Sequence, residues 1–494
     1  MPSDASAPTP GTPSLLRAIN DRAALEALLA HGTLSRPELS RLTGISKPTA
    51  SQLLARLEEA GLVMRDGVRE GTPGRTAELY RIVPSAAHVA GLDVTPRRII
   101  AAVADLTGAV VGEHVLATPG RTNVDAAARA AAAVDGAAAA AGLTRDRLNR
   151  VVVGIPGAVN PATGRLGYAA HLPGWHVPGI TAHLTAGLGV PVEIENDVNL
   201  GALAEITSGQ AADVRDFALL WVGDGIGMAV VLDGRPHRGA TGGAGEIGYM
   251  PAVGAPLVRG ARLAHTGGVQ TRLGSGAVLA LLRRHGFQGR DVRTALTRAT
   301  QALEAAPPSP APQRTSTPQE ASTAQGVPNA QGMPSAQGMP SAQGVPSAQE
   351  GAATQGAPSS HESPGARGGG ADGSGARGAE GARSSDARRA SGEVERGEAA
   401  LAALGELAER LAATLANVVG ILDPELIVLT GEVPRAGGEA LRALVERELH
   451  SMTIPRPPVR LSAVAGNVVL AGALDQALRG CREEVFSRTR AAAT

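Results

Sequence analysis

Three short stretches combine carboxylates, amides and glycines in patterns that bind or react with small polar molecules. Glu195-Asn196-Asp197-Val198-Asn199 follows a strand-like apolar run and precedes a helical pattern, which is where ligands bind in open α/β sheets. A carboxylate there can take a proton from a substrate hydroxyl, as a general base does. Asp at a helix start equally serves as an N-cap, and the pentapeptide alone leaves both readings open. Gly223-Asp224-Gly225-Ile226-Gly227 joins two strand-like runs and resembles a loop whose backbone N–H groups cradle phosphate. Asp224 opposes that: a carboxylate about 4 Å from a phosphate is repelled by several kcal/mol, roughly, unless Mg²⁺ intervenes. A tight β-hairpin competes. In Gly239 to Tyr249 (GATGGAGEIGY), Glu246 and Tyr249 are spaced to lie side by side, where carboxylate and phenol can hydrogen-bond a polyol or cap a turn.

Alternating strands and helices must position these groups. His88–Val94, Arg98–Asp105 and Ala109–Val115 read as a meander, followed by an Ala-rich helix over Val124–Ala141 and strands at Val151–Ile155 and Pro191–Ile194. The pattern restarts at Asp216–Val222 and Gly227–Leu232, with a hairpin turn at Asp233-Gly234, so an α/β fold is expected. Helices are predicted over Ala277–Arg284 and Val292–Ala305. Composition then collapses into Pro, Gly, Ser, Ala and Gln, with an imperfect hexapeptide repeat (AQGVPN, AQGMPS) across Ala324–Gln349. Such a segment lacks the apolar content to offset its chain entropy and is read as a disordered insertion. The competing parallel β-helix is opposed by a Pro in each repeat. Its end, GARGGGADGSGARGAEGAR, suits nucleic-acid contact or a solvated linker. Order returns at Gly392 with a helix to about Leu422. A strand (Leu426–Leu429), a helix (Glu439–Leu449), a strand (Val459–Ser462) and a final helix (Val469–Leu478) follow, so the insertion sits at the surface of one domain.

The N-terminal part has a different character. Leu15–His31 reads as a helix beneath a second pair. Ser35 with Glu38 forms a capping box, Leu39 and Leu42 face inward, and Gly44 ends that helix. Ser46 caps the next, whose Ala50, Leu53, Leu54 and Leu57 recur at helical spacing to Gly61. Helix, tight glycine turn and helix is the helix-turn-helix plan. Lys47, Thr49, Ser51, Gln52 and Arg56 face outward as candidate DNA contacts, and Lys47 is the only lysine in the chain. Leu62–Ile82 reads as a two-stranded wing, with Arg75 a candidate for the minor groove. Between Leu15 and Ile82 there are ten Lys or Arg against eight Asp or Glu, so non-specific affinity for DNA should be modest. Helix pairs that only pack are the alternative.

Balanced charge (46 basic, 46 acidic residues) and 43% hydrophobic content over 494 residues fit a multidomain globular protein whose cores, with 2% aromatics, are aliphatic. One cysteine, Cys481, rules out an intrachain disulfide and a cysteine metal cage. No run of about eighteen apolar residues and no leader-like start occur, so no membrane partner and a cytoplasmic location are expected.

The winged helix followed by GIPG (Gly154 to Gly157), LPGW (Leu172 to Trp175), ENDVN, GDGIG, AGEIGY and LDPELIVLTGE (Leu422 to Glu432) resembles the ROK family of repressors and sugar kinases. The resemblance implies an actin-like ATPase fold of two α/β lobes with sugar between them. It carries sugar-ligand roles onto Asn196, Asp197 and Glu246, with Asp197 the kinase base. Tyr249 and Gln270 stand where the family has histidine and glutamate. The family's cysteine-rich zinc motif has no counterpart in Ala255–Gln270. Asp93-Val94-Thr95-Pro96-Arg97 replaces Asp-x-Gly-Gly-Thr, and Asp224 replaces the threonine of Gly-Thr-Gly-x-Gly, so neither ATP nor zinc is expected as a cofactor.

The expected organisation is a tail (1–13), a winged helix-turn-helix (14–83), a ROK domain (84–306 and 392–486) and the insertion (307–391). The expected function is a DNA-binding regulator, a repressor, that responds to a sugar or sugar derivative. Its partners would be a double-stranded operator and a second copy in a homodimer or higher homo-oligomer. An ATP-dependent sugar kinase with a regulatory head is the rival, and a regulator that has lost its ligand response the third.

Overall fold

The computed structural model describes residues 13–70, 76–118, 125–167, 172, 174–259, 267–306 and 377–488. The N-terminal head comprises α1 (Pro13–His31), β1 (Leu34–Ser35), α2 (Arg36–Thr43), α3 (Lys47–Glu59), β2 (Val63–Glu70) and β3 (Thr76–Ile82). Glu38 reaches back to Ser35, its Oε2 accepting from Ser35 N at 2.8 Å and from Ser35 Oγ at 2.7 Å. Those bonds hold the Glu38 carboxyl at about 2, the backbone N–H of Ser35 being the larger cause. Gly44 ends α2 at φ 72°, and Ser46 Oγ accepts from Thr49 N to start α3. The sheet order is β1-β3-β2. Leu25, Leu28, Leu39, Leu53, Leu54, Leu57 and Tyr80 are buried between helices and sheet, so the apolar spacing of α3 is spent on the head's own core.

The body contains two five-stranded sheets of the same order. The first is built from β4 (His88–Val94), β5 (Arg98–Asp105), β6 (Val110–Ala117), β7 (Leu148–Ile155) and, after the two-residue strands β8 (Ala158–Val159) and β9 (Leu166–Gly167), β10 (Val192–Asn196). Its order is β6-β5-β4-β7-β10, antiparallel across the meander and parallel from β4 to β10. The second uses β11 (Phe217–Val222), β12 (Ile226–Leu232), β13 (Arg235–Pro236), β14 (Leu426–Thr430) and β15 (Val459–Leu461), ordered β13-β12-β11-β14-β15 with the same change of sense. Helices α4 (Ala126–Ala140), α5 (Ile180–Leu188) and α6 (Asp197–Ser208) belong to the first lobe. Helices α7 (Gln270–Leu273), α8 (Ser275–Arg284), α9 (Val292–Ala305) and α10 (Arg377–Leu422) lie between β13 and β14 of the second sheet, and α11 (Glu432–Met452) between β14 and β15. Finally α12 (Val468–Arg488) returns to pack on α6, β4 and β7 of the first.

Several elements differ from expectation. Residues 180–188 form a helix that was not predicted, because ITAHLTAGL has β-branched residues and no side-chain cap. Gly179 and Gly189 bound it instead. Helix α11 starts at Glu432 rather than Glu439, since Gly438 (φ 56°, ψ −156°) kinks it and hides its first turns from the periodicity. Helix α12 runs to Arg488, and α10 begins at Arg377, inside the span assigned to the insertion. The tail expected at 1–13 gives way to helix at Pro13, and residues 1–12 lie outside the described residues. So do Arg75, the hexapeptide repeat and residues 260–266 of the stretch compared with the zinc motif.

Candidate functional sites

On the head, Lys47, Ser51 and Gln52 are exposed along α3 and Thr49 is half-exposed. Thr49 Oγ1 shares a 2.8 Å hydrogen bond with Ser46 Oγ, and Ser51 Oγ donates to Lys47 O at 3.1 Å. Arg56 departs from the sequence expectation. Its Nη2 lies 2.6 Å from Oδ1 of the buried Asp21 on α1, so this guanidinium is drawn back into the head and away from base edges. On the wing, Arg65 meets Glu58 and Glu78, Arg69 meets Glu38, and Arg81 meets Asp66.

In the body, the carboxyl ends of the parallel strands bring together residues far apart in sequence. Asp93 on β4 is in register with Gly154 on β7, and Gly154 with Glu195 on β10. Asp197, the first residue of α6, sits just beyond. Burial pushes its carboxyl up to about 8, and the neighbouring charges of Asp93 and Glu246 add to that. Glu246 follows Gly245, whose φ of 87° and a Cβ position 1.8 Å from Met228 O admit only glycine. Burial raises Glu246 to about 7. Asp93 is also raised by burial, against the pull of a hydrogen bond from Asn467. Asp197 and Glu246 therefore share one poorly hydrated site and hold protons near neutral pH, and burial shifts Asp93 beside them in the same direction.

The other expected ligands have structural duties. Asn196 Oδ1 accepts from Val198 N (2.9 Å) and Asn199 N (3.1 Å), the N-cap of α6, while its Nδ2 donates to Gly157 O. The cap of α6 thus falls on Asn196 rather than on the Asp that the sequence suggested, and Asp197, the first helical residue, lies near the carboxylates of Asp93 and Glu246. Gln270 also departs from the ligand role: its Oε1 accepts from Ile226 N at 3.0 Å and its Nε2 donates to Asp224 O at 2.7 Å, bracing the β11–β12 turn. Tyr249 ends the short 3₁₀ turn Ile247–Tyr249, its N–H on Glu246 O. Sequence reasoning missed Asn467, whose Nδ2 donates to Asp93 Oδ2 at 2.7 Å. An Asn before an apolar run is a cap signal that could have found it. It also missed Arg238, whose Nε lies 2.7 Å from Oε2 of the buried Glu195 and which nothing in its local pattern marks.

Pro96 offers no N–H, and Arg97 Nη2 lies 3.4 Å from Asp224 Oδ2, so an ion pair joins the two turns that carry phosphate contacts in the kinases the sequence resembles. The GDGIG turn is a hairpin closed by Gly223 N on Gly225 O.

Residues 89–268 match the model of the ROK family, and residues 19–75 that of the MarR family. A xylose repressor of Caldicellulosiruptor bescii is 27% identical over 240 residues, 48% of this chain and 60% of that protein. The chain thus spans about three fifths of the length of such relatives. Among solved structures, a ROK family transcriptional regulator described as a homolog of the E. coli MLC protein is matched over 96% of this chain and 99% of its own. The TM-score is 0.59 and the identity 17%. A ROK hexokinase from Thermus thermophilus is matched over 80% of this chain and 99% of its own, at a TM-score of 0.50 and 21% identity. At those identities the structural matches establish the fold alone: a winged helix on a two-lobed, actin-like body.

Proposed function

We propose that this chain, which carries a ROK-family domain behind a MarR-type winged helix, is a sugar-responsive transcriptional repressor. The observation that carries the proposal is the pairing of an open α3 face (Lys47, Ser51, Gln52) with a carboxylate cleft whose phosphate turns are bridged by Arg97 and Asp224. The head presents groups that reach phosphates and base edges. The cleft, through Asp197 and Glu246, presents acceptors for sugar hydroxyls, with Asp93 beside them. Two heads of a homodimer would read two half-sites of one operator. The names of relatives, xylose repressors, point to a pentose effector. No helix among the described residues is long and apolar enough to cross a membrane. DNA places the work in the cytoplasm. Neither ATP nor zinc has a part in it.

Repression and release require that sugar prefers one arrangement of the lobes and operator another. The test is fluorescence anisotropy of the full chain on fragments of its own upstream region, titrated with salt, then with D-xylose, D-glucose and N-acetyl-D-glucosamine. Salt-sensitive, sequence-selective binding that a sugar reverses is the expected result. Binding of equal strength to unrelated DNA, or none, would refute the assignment.

One observation favours a second reading, an ATP-dependent sugar kinase: Asp197, pushed up to about 8, has the basicity of a general base working near neutral pH. ADP release over the same sugars, abolished in Asp197→Asn, would establish it.

A further inference from the structure

Helix α12 joins the carboxylate cleft to the head, and the joint at its start is Asn467. The Nδ2 of this side chain donates to Asp93 Oδ2 at 2.7 Å, while its Oδ1 accepts from the N–H groups of Val469 (3.1 Å) and Leu470 (3.2 Å). One amide therefore grips a cleft carboxylate with one end and caps a helix with the other. Asp93 is the same group whose charge adds to the upward shift of Asp197.

The helix is seated without slack. A Cβ at Gly472 would fall 1.8 Å from Leu200 O on α6, and one at Gly154 would fall 2.7 Å from Val469 Cγ1, so only glycine lets α12 lie this close to α6 and β7. At 1.5 Å per residue it extends about 30 Å. At its far end Cys481, Val485 and Phe486 share one apolar cluster with Leu25 and Leu28 of α1. Beside that seam an open cleft of about 720 Å³ separates the helices, lined among others by Arg22 and Glu26 of α1 and Asp475, Arg479 and Phe486 of α12. The head thus rests on α12 along one edge, with room to tilt.

We infer that Asn467 is a positioning residue that couples the cleft to the head. The ligation and charge of Asp93 set the seat of α12 through the Asn467 amide, and α12, a rigid element touching both sites, carries any change of seat to α1. Its biological meaning rests on the function proposed above; the mechanical coupling is independent of it.

Hydrogen exchange on the full chain tests the coupling without sugar or DNA, comparing wild type with Asn467→Ser, Asn467→Ala and Asp93→Asn. Serine keeps a cap oxygen and is too short to hold Asp93; alanine loses both bonds. The expected result is that α1 amides exchange at least threefold differently from wild type in Asn467→Ser and Asp93→Asn, while α4, which packs chiefly on β5, β6 and α5, is unchanged. If only the first turn of α12 loosens and α1 keeps its wild-type rates, Asn467 is a local cap and the inference is overturned. Should Asn467→Ala fail to fold, the other two variants decide. A second arm measures operator affinity with and without D-xylose or D-glucose. The ratio of the two affinities should fall toward one in Asn467→Ser while sugar affinity changes less than tenfold, and a wild-type ratio would overturn the coupling. A wild type that binds neither sugar nor operator sinks the proposed function and leaves the α1 exchange rates to decide this inference.

Discussion

Arg56 and Asp21 meet at 2.6 Å, Nη2 to Oδ1, with the Asp21 side chain almost wholly covered. The bond ties α3 to α1. Removing the guanidinium leaves a covered carboxylate whose pKa burial already raises, and breaking such a pair costs more than an exposed one. Arg56→Ala is therefore expected to destabilise the head by about 2 kcal/mol. Asp21→Asn in the same chain should recover part of the loss. Gln52→Ala, exposed on the same helix, should leave unfolding unchanged and weaken operator binding about tenfold, one to two kcal/mol, roughly. Chemical denaturation and anisotropy on the same samples separate the two roles; equal stability of the two single variants would place Arg56 outside the head's support.

The cleft carboxyls give a pH dependence of definite sign. The folded chain keeps a proton on Asp197 up to about 8 and on Glu246 up to about 7, whereas the unfolded chain releases both at ordinary carboxyl values. Between those limits the folded state binds more protons, so stability falls as pH rises toward 8. Asp197→Asn removes one such group and should raise the melting temperature at pH 8 more than at pH 5. An equal gain at the two pH values would show that Asp197 titrates normally.

Sugar binding should move the opposite way. Ionised carboxylates accept two hydroxyls each where a protonated one donates, so affinity should rise severalfold from pH 6 to 8.5, with the rise above about pH 7 lost in Asp197→Asn and only the part due to Glu246 remaining. Isothermal titration with D-xylose and D-glucose measures it, and a pH-independent affinity would remove Asp197 from the ligand set.

The Arg97–Asp224 pair is largely exposed on both sides, so it adds at most about 1 kcal/mol. It links the turn after β4 to the turn between β11 and β12. ADP release over pentoses and hexoses should stay at background in wild type and in Asp224→Thr alike, because Pro96 still lacks an N–H. Turnover restored by Asp224→Thr would show that one carboxylate had silenced a competent kinase.

Gly472→Ala should abolish soluble folding or cost several kcal/mol, roughly, since its Cβ would overlap a backbone oxygen that cannot turn aside. Wild-type melting would mean that α12 sits looser on α6 than described.

The sequence by itself determined the elements whose signals are local. Capping at Ser35 and Ser46, apolar spacing in α3, and strands such as His88–Val94 and Val292–Ala305's helical period need only neighbours within a few residues to be legible. Asp197 and Glu246 could be singled out in the same way, from loop motifs. What the chain order does not encode is which distant groups a side chain meets. Arg56 looked like a base-edge reader until Asp21, 35 residues away, claimed it. Gln270 looked like a ligand until two backbone groups of the Asp224 turn did. Asn467 reaches Asp93 across 374 residues of sequence. Folding the first sheet sets the carboxyl ends of its parallel strands β4, β7 and β10 beside the start of α12, and only that packing turns separate caps and carboxylates into a site.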